Sequence, residues 1–170
     1  MLRLDLARLD RERSIQIEAR IPPDDPLWED FEAVFVGPVE VHARASWTGS
    51  GEVVVRGTLR APLQQECRRC LVPVTVTLSE EMTLVYLPAT EPGMEDDGDT
   101  RLFEESAAEL DLGQAVREEI ILAIDPYVVC RPQCKGLCPH CGANLNEETC
   151  TCVAEDLDPR WDALRALKKE

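Results

Sequence analysis

Eight cysteines fall into four close pairs: Cys67-x-x-Cys70, Cys130-x-x-x-Cys134, Cys138-x-x-Cys141 and Cys150-x-Cys152. Thiolates two or three residues apart, with Gly or Pro beside them, let one tight turn aim both sulfurs at a single tetrahedral ion. Gly142, directly after Cys141, frees the backbone to fold back over such a pair. A lone Cys-x-x-Cys is shared with thioredoxin-like redox sites, but four pairs together point to metal. Eight thiols suit two four-cysteine zinc sites. Cys138, Cys141, Cys150 and Cys152 enclose an eight-residue loop, long enough to return to one ion, which leaves Cys67 and Cys70 for Cys130 and Cys134. A shifted pairing, with Cys134 replacing a member of the second quartet, stays open. The competing use of eight cysteines is a disulfide scaffold, whereas reduced cytosolic thiols fit metal ligands.

Four bases lie in or directly beside the first two pairs: Arg68, Arg69, Arg131 and Lys135. They could offset the negative charge that four thiolates leave on a divalent ion, or touch a phosphate backbone. Catalysis is not expected. The two histidines are His42, on the polar face of a predicted strand, and His140, inside a knuckle. No nucleophile–base set or Gly-rich phosphate loop is present, and an ion saturated by thiolates has no open position. Thiol-redox or metal-handling activity is the competing function. It wants an acidic thiol at a helix start, and Cys67 is expected to follow a strand.

These pairs must be positioned by a β-rich core. Ile15, Ile17, Ala19 and Ile21 alternate with polar residues over Ser14–Ile21, which predicts a half-buried strand. A short helix is expected over Asp25–Glu32. Val39 to Trp47 and Val53 to Leu63 alternate on either side of Gly49-Ser50-Gly51, predicting a hairpin that delivers the chain to Cys67. Val72, Val74, Val76 and Leu78 begin another alternation, with a turn expected near Ser79-Glu80 before Met82, Leu84 and Tyr86. Residues 88–105, rich in Pro, Gly and acid, are expected to form a mobile acidic loop.

The spacing of Leu112, Val116, Ile120, Ala123 and Ile124 predicts a helix over 111–125, widened by Ile121 and Leu122. Asp111 and Gln114 are placed as a capping box, and Asp125-Pro126 ends the helix. Asp158-Pro159 opens a short C-terminal helix over 157–170, with Trp161, Leu164 and Leu167 as its stripe. The expected architecture is α+β: an antiparallel sheet packed by one main helix, with a cysteine-rich zinc module and the terminal helix. Residues 1–129 form the core and 130–156 the module. With 33 acidic against 18 basic residues, the net charge of −15 favours basic protein partners over nucleic acid unless bases cluster. Charges every two or three residues near the N-terminus leave no apolar run for a leader, and no stretch is long and apolar enough to span a bilayer.

Cys67-Arg-Arg-Cys70-Leu71 after a hairpin, Asp111-Leu-Gly, Glu118-Glu119-Ile-Ile-Leu, Cys134-Lys-Gly-Leu-Cys138-Pro, Cys141-Gly-Ala-Asn-Leu-Asn146 and Asp158-Pro-Arg-Trp161 together resemble the YceD family. Its members are the large ribosomal RNA subunit accumulation proteins. The resemblance implies a non-enzymatic cytoplasmic bacterial or organellar factor that supports 23S rRNA accumulation in ribosome biogenesis. Its expected partners are a large-subunit ribosomal protein, rRNA, or both, with two Zn2+ ions held by the eight cysteines.

Overall fold

The computed structural model describes residues 2–31, 33–49, 51–89 and 100–152. Its centre is the expected hairpin, strands β4 (Val39–Trp47) and β5 (Val53–Glu66). They pair antiparallel from Glu40 opposite Arg60 to Trp47 opposite Val53. Side chains alternate across a strand, so the odd-numbered residues share one face. Val39, Val41, Ala43, Ala45, Val53, Val55, Leu59, Ala61 and Leu63 are all buried there. The connection uses Gly51 at φ 89°, and the Thr48 hydroxyl accepts from the Glu52 N–H at 3.2 Å. Midway, Gly57 faces Ala43, and a Cβ on Gly57 would lie 2.2 Å from the His42 carbonyl oxygen. Only a residue without a side chain lets the two strands approach so closely.

Strand β2 (Ser14–Ile21) joins β4, and β6 (Pro73–Pro88) joins β5. Two short strands complete the sheet: β3 (Val34–Phe35) against the end of β5, and β7 (Thr100–Phe103) parallel to β6. The order is β2-β4-β5-β6-β7, antiparallel apart from the last pair. No turn interrupts β6 at Ser79-Glu80; these residues pair with Arg60 and Leu59. The reason is parity. Val74, Val76, Leu78, Met82, Leu84 and Tyr86 all point to one side, so the alternation never changes face and β5 pairs with β6 without a break. The expected loop over 88–105 likewise contains structure, because β7 lies within it and buries Phe103. Arg101 on β7 donates to the Glu118 carboxylate at 2.7 Å. Residues 90–99 of that loop lie outside the described residues.

Among the described residues, two helices cover the inner face. Helix α1 (Leu6–Glu12) was not anticipated. Asp5 caps it by accepting from the Arg8 N–H at 2.7 Å, and Arg13 ends it at φ 61°. Leu6 and Leu9 are buried, together with Leu4 on β1 (Arg3–Asp5), which pairs with β8 (Glu109–Asp111). Helix α2 spans Gly113–Ala123, shorter than the 111–125 expected. Asp111 does not cap it as a box partner. Its carboxylate accepts from the Gly113 N–H at 2.8 Å, while Gln114 turns to Glu118. Leu112, Val116 and Ile120 are buried, but Ile121 is 50% and Leu122 82% exposed, so the apolar stripe is narrower than the composition implied.

The segment expected as a helix over Asp25–Glu32 is a single 3-10 turn, Pro26–Trp28. Trp28, Phe31 and Phe35 pack ring on ring there, and Arg117 of α2 donates to the Leu27 and Glu29 carbonyls. Two helices on a mostly antiparallel sheet make an α+β arrangement. The expected C-terminal helix over 157–170 lies outside the described residues.

Candidate metal centres

Strand β5 ends at Glu66 and β6 begins at Pro73, so Cys67–Cys70 is the connection between two long strands. The Leu71 N–H donates to the Cys67 carbonyl at 2.8 Å, closing the turn with Leu71 at φ 60°. The chain leaving α2 is pinned beside this turn. Gln65 donates to the Asp125 carbonyl at 3.2 Å, and the Arg68 N–H to the Val128 carbonyl at 2.9 Å. Cys130 and Cys134 are thereby delivered to Cys67 and Cys70. The Cys67 and Cys134 sulfurs are 3.9 Å apart, those of Cys70 and Cys130 3.6 Å. Cys67, Cys70 and Cys134 are buried, with Val72, Val74, Val129 and Leu137 around them as a small core of their own.

The second cluster folds along the chain itself. Cys138 accepts from Gly142 and donates to Ala143 through its backbone, at 2.9 and 2.8 Å, and Gly142 takes φ 75°. This is the same turn as Cys67 to Leu71, closed by the same hydrogen bond. Cys138, Cys141, Cys150 and Cys152 then meet, with Cys138 buried and Cys141 and Cys152 exposed. In both quartets the ligand atoms lie within 4.8 Å of one another, and all eight cysteines are free thiols. Each cluster could therefore hold a metal ion. A tetrahedron with metal–sulfur bonds of about 2.3 Å has sulfurs about 3.8 Å apart, close to the Cys67–Cys134 and Cys70–Cys130 distances in the first cluster.

The thiol acidities follow from crowding. Burial pushes Cys67 up, but the N–H groups of Cys130, Cys70 and Arg69 outweigh it and bring the thiol to about 6. The N–H groups of Cys141 and His140 bring Cys138 to about 6 as well. Burial and the sulfurs around it push Cys130 up to about 12, and the Cys141 sulfur with burial does the same to Cys152. In the first cage Cys134 is lowered along with Cys67, against burial and helped by the Asn146 amide, while Cys70 is raised along with Cys130; in the second, Cys150 is raised along with Cys152. Each cage thus combines thiols ready to ionise with thiols held back by burial and by their neighbours' sulfurs. A divalent cation removes that conflict.

Among the described residues, no helix is long and apolar enough to cross a membrane. The family of large ribosomal RNA subunit accumulation proteins, YceD, matches residues 55–168, from the hairpin's return strand through both clusters. The chain belongs to the YceD family. It is 32% identical over 167 residues to an uncharacterized protein of Mycobacterium tuberculosis, covering 95% of this chain and 78% of that one. A Zea mays chloroplastic protein, large ribosomal RNA subunit accumulation protein YCED homolog 1, is 48% identical over 58 residues, 33% of this chain and 20% of its own. Its Arabidopsis thaliana namesake is 34% identical over 68 residues, 40% of this chain and 21% of its own. No solved structure matches.

In this YceD-family chain the four bases have different surroundings. Arg69 reaches across the first cluster and donates to the Cys134 carbonyl at 3.0 Å and to that of Pro132 at 3.5 Å. Arg68 lies over the exposed Tyr127 ring, 4.3 Å from its centroid. Arg131 and Lys135 are exposed, and their side chains pair with no described residue. Sequence reasoning passed over Asn146. Its amide donates to the Cys134 sulfur at 3.4 Å and to Asn144 at 2.8 Å, and its oxygen accepts from the Lys135 N–H at 2.9 Å. The second cluster's loop is thus anchored on the first cluster. The only trace in the sequence is the pair of amides in Asn144-Leu-Asn146.

Proposed function

We propose that this protein is a non-enzymatic cytoplasmic factor in ribosome biogenesis that supports accumulation of large-subunit rRNA. Two zinc ions, one in each cysteine quartet, serve as structural staples. The observation that carries this reading is the sorting of all eight cysteines into two four-sulfur cages on a chain of the YceD family. An ion bound by four thiolates offers neither water nor substrate a position, which favours a shape-giving role over turnover. Residues 130–156 then act as a module set on the β-rich core.

Direct contact with rRNA is assigned to the rim of the first cage. Arg68 with Tyr127 beneath it, Arg131 and Lys135 would bind backbone and bases, while Arg69 holds the cage together. The net charge of −15 favours a second reading, in which a basic large-subunit ribosomal protein is the partner. Two measurements test these readings. Depleting the protein should lower large-subunit rRNA; normal levels would remove the biogenesis role. Zinc-loaded protein should bind large-subunit rRNA fragments with an affinity that falls as salt rises. No binding at low salt leaves the ribosomal-protein reading. Thiol-redox or metal-handling activity, the competing class, requires substoichiometric zinc and thiols that cycle under mild oxidant.

A further inference from the structure

The outer face of the sheet, opposite the helices, carries a juxtaposition that folding alone does not favour. Register places Gln16, Arg44, Arg56 and Thr83 in one row across β2, β4, β5 and β6. Arg44 and Arg56 are both exposed and directly opposite on neighbouring strands. Like charges so placed destabilise a sheet. Nearby the chain neutralises its arginines: Arg20 and Arg60, two rows on, share Glu40 at 2.8 and 3.8 Å. The central pair has no such partner. Glu18 and Glu81 stand at the ends of the intervening row, yet neither arginine forms an ion pair with a described residue. Arg44 meets only the Gln16 amide, whose oxygen accepts from its Nη2 at 2.6 Å and Nε at 3.2 Å when the amide nitrogen donates to the Ala43 carbonyl. In a chain with 33 acidic residues, a central arginine pair without a carboxylate among the described residues leaves two guanidinium groups open to an external anion.

We infer that this face binds an RNA backbone, with Arg44 and Arg56 taking phosphate oxygens. Guanidinium forks match phosphate geometry, and Thr58 and Thr83 stand on the same face beside the pair as hydroxyl-bearing neighbours. An open sheet has no walls to enclose a small anion, so affinity must come from repeated contacts along a polyanion. Outward positions on β2, β4, β5 and β6 carry no Phe, Tyr or Trp, so bases are not stacked and contact is independent of sequence. The choice of RNA as the polyanion rests on the proposed rRNA role, but the residues are separate from those at the first cage.

The test uses full-length zinc-loaded protein and a labelled RNA hairpin with a single-stranded tail, read by fluorescence anisotropy across a salt series. The double variant Arg44→Gln, Arg56→Gln should weaken binding about tenfold and flatten the log–log salt slope by about 1.5, for two phosphates. Its Tm should stay level or rise, because the repulsion is gone. Arg44→Lys, Arg56→Lys should keep the salt slope. Unchanged affinity and slope in the Gln variant overturn the inference, as does a loss of binding that tracks a fallen Tm. If the Gln variant binds normally while Arg68→Gln, Arg131→Gln abolishes binding, this face is excluded and the cage rim stands. If wild-type protein binds no RNA, both fall.

Discussion

Leu71 and Gly142 hold the same place in two copies of one turn, each donating its N–H to the first cysteine of its pair. The left-handed backbone there suits glycine, yet one copy carries leucine at φ 60° with its side chain 55% exposed. A branched side chain in that conformation costs about 1 kcal/mol or more. Leu71→Gly should therefore raise stability by about 1 kcal/mol in denaturant unfolding, with no loss of bound metal. A loss would show that the leucine itself shields the cage. The thiols make a second prediction. Metal displaces protons, so affinity should climb with pH from about 6, where Cys67 and Cys138 ionise, towards about 12, where Cys130 and Cys152 do. Because Cys67 and Cys138 ionise early, zinc binding at neutral pH should release fewer than four protons per ion, as titration in weak buffer would count. Knuckles and spacing made the ligands legible. Asn146 was not, since an amide that donates to sulfur looks in sequence like any polar loop residue.

At the scale of elements, the hairpin could be read because its alternation is unbroken and its turn carries glycines. Helix α1 could not. Leu4, Leu6 and Leu9 stand at spacings of two and three, which fit strand and helix equally, and β1 changes into α1 between the first two. Strand β7 was hidden for a different reason: its four residues gain their order from the edge of β6 and from the Arg101–Glu118 ion pair. The element most sensitive to one atom is β5. Gly57→Ala forces a methyl against the His42 carbonyl and the Ala43 backbone, neither of which is the end of a flexible side chain. Overpacking of this kind should cost about 1–3 kcal/mol, measured by thermal unfolding. Leu9→Ala, which empties a fully buried site under α1, should cost about 2–5 kcal/mol. A negligible cost would mean that α1 does not seal the sheet.

At the scale of the whole molecule, the described residues form two cores of different origin. One is the apolar layer between sheet and helices; the other is a few aliphatic residues gathered around Cys67, Cys70 and Cys134. The first contains buried leucine, valine and aromatic side chains enough to persist alone, whereas the second has little apolar area and, with the proposed ion bound, would depend on it. The dependence is also directional. The second cluster leans on the first through Asn146 and through the Leu137 N–H on the Arg69 carbonyl at 3.0 Å, whereas Cys67 and Cys70 of the first lie in the turn between β5 and β6, and Cys130 and Cys134 follow the segment pinned beside that turn after α2. Cys150→Ser should therefore remove one of two zinc ions and leave the other bound with unchanged affinity. Cys70→Ser should remove the first ion and weaken the second as well. Zinc titration of both variants with a competing chelator would show the asymmetry, and equal, independent losses would refute it. Complete chelation of the wild-type chain should abolish amide protection over 67–72 and 128–152 in hydrogen exchange while β4, β5 and β6 stay protected. If the strands open together with the cages, zinc holds the sheet itself rather than only the region beyond it.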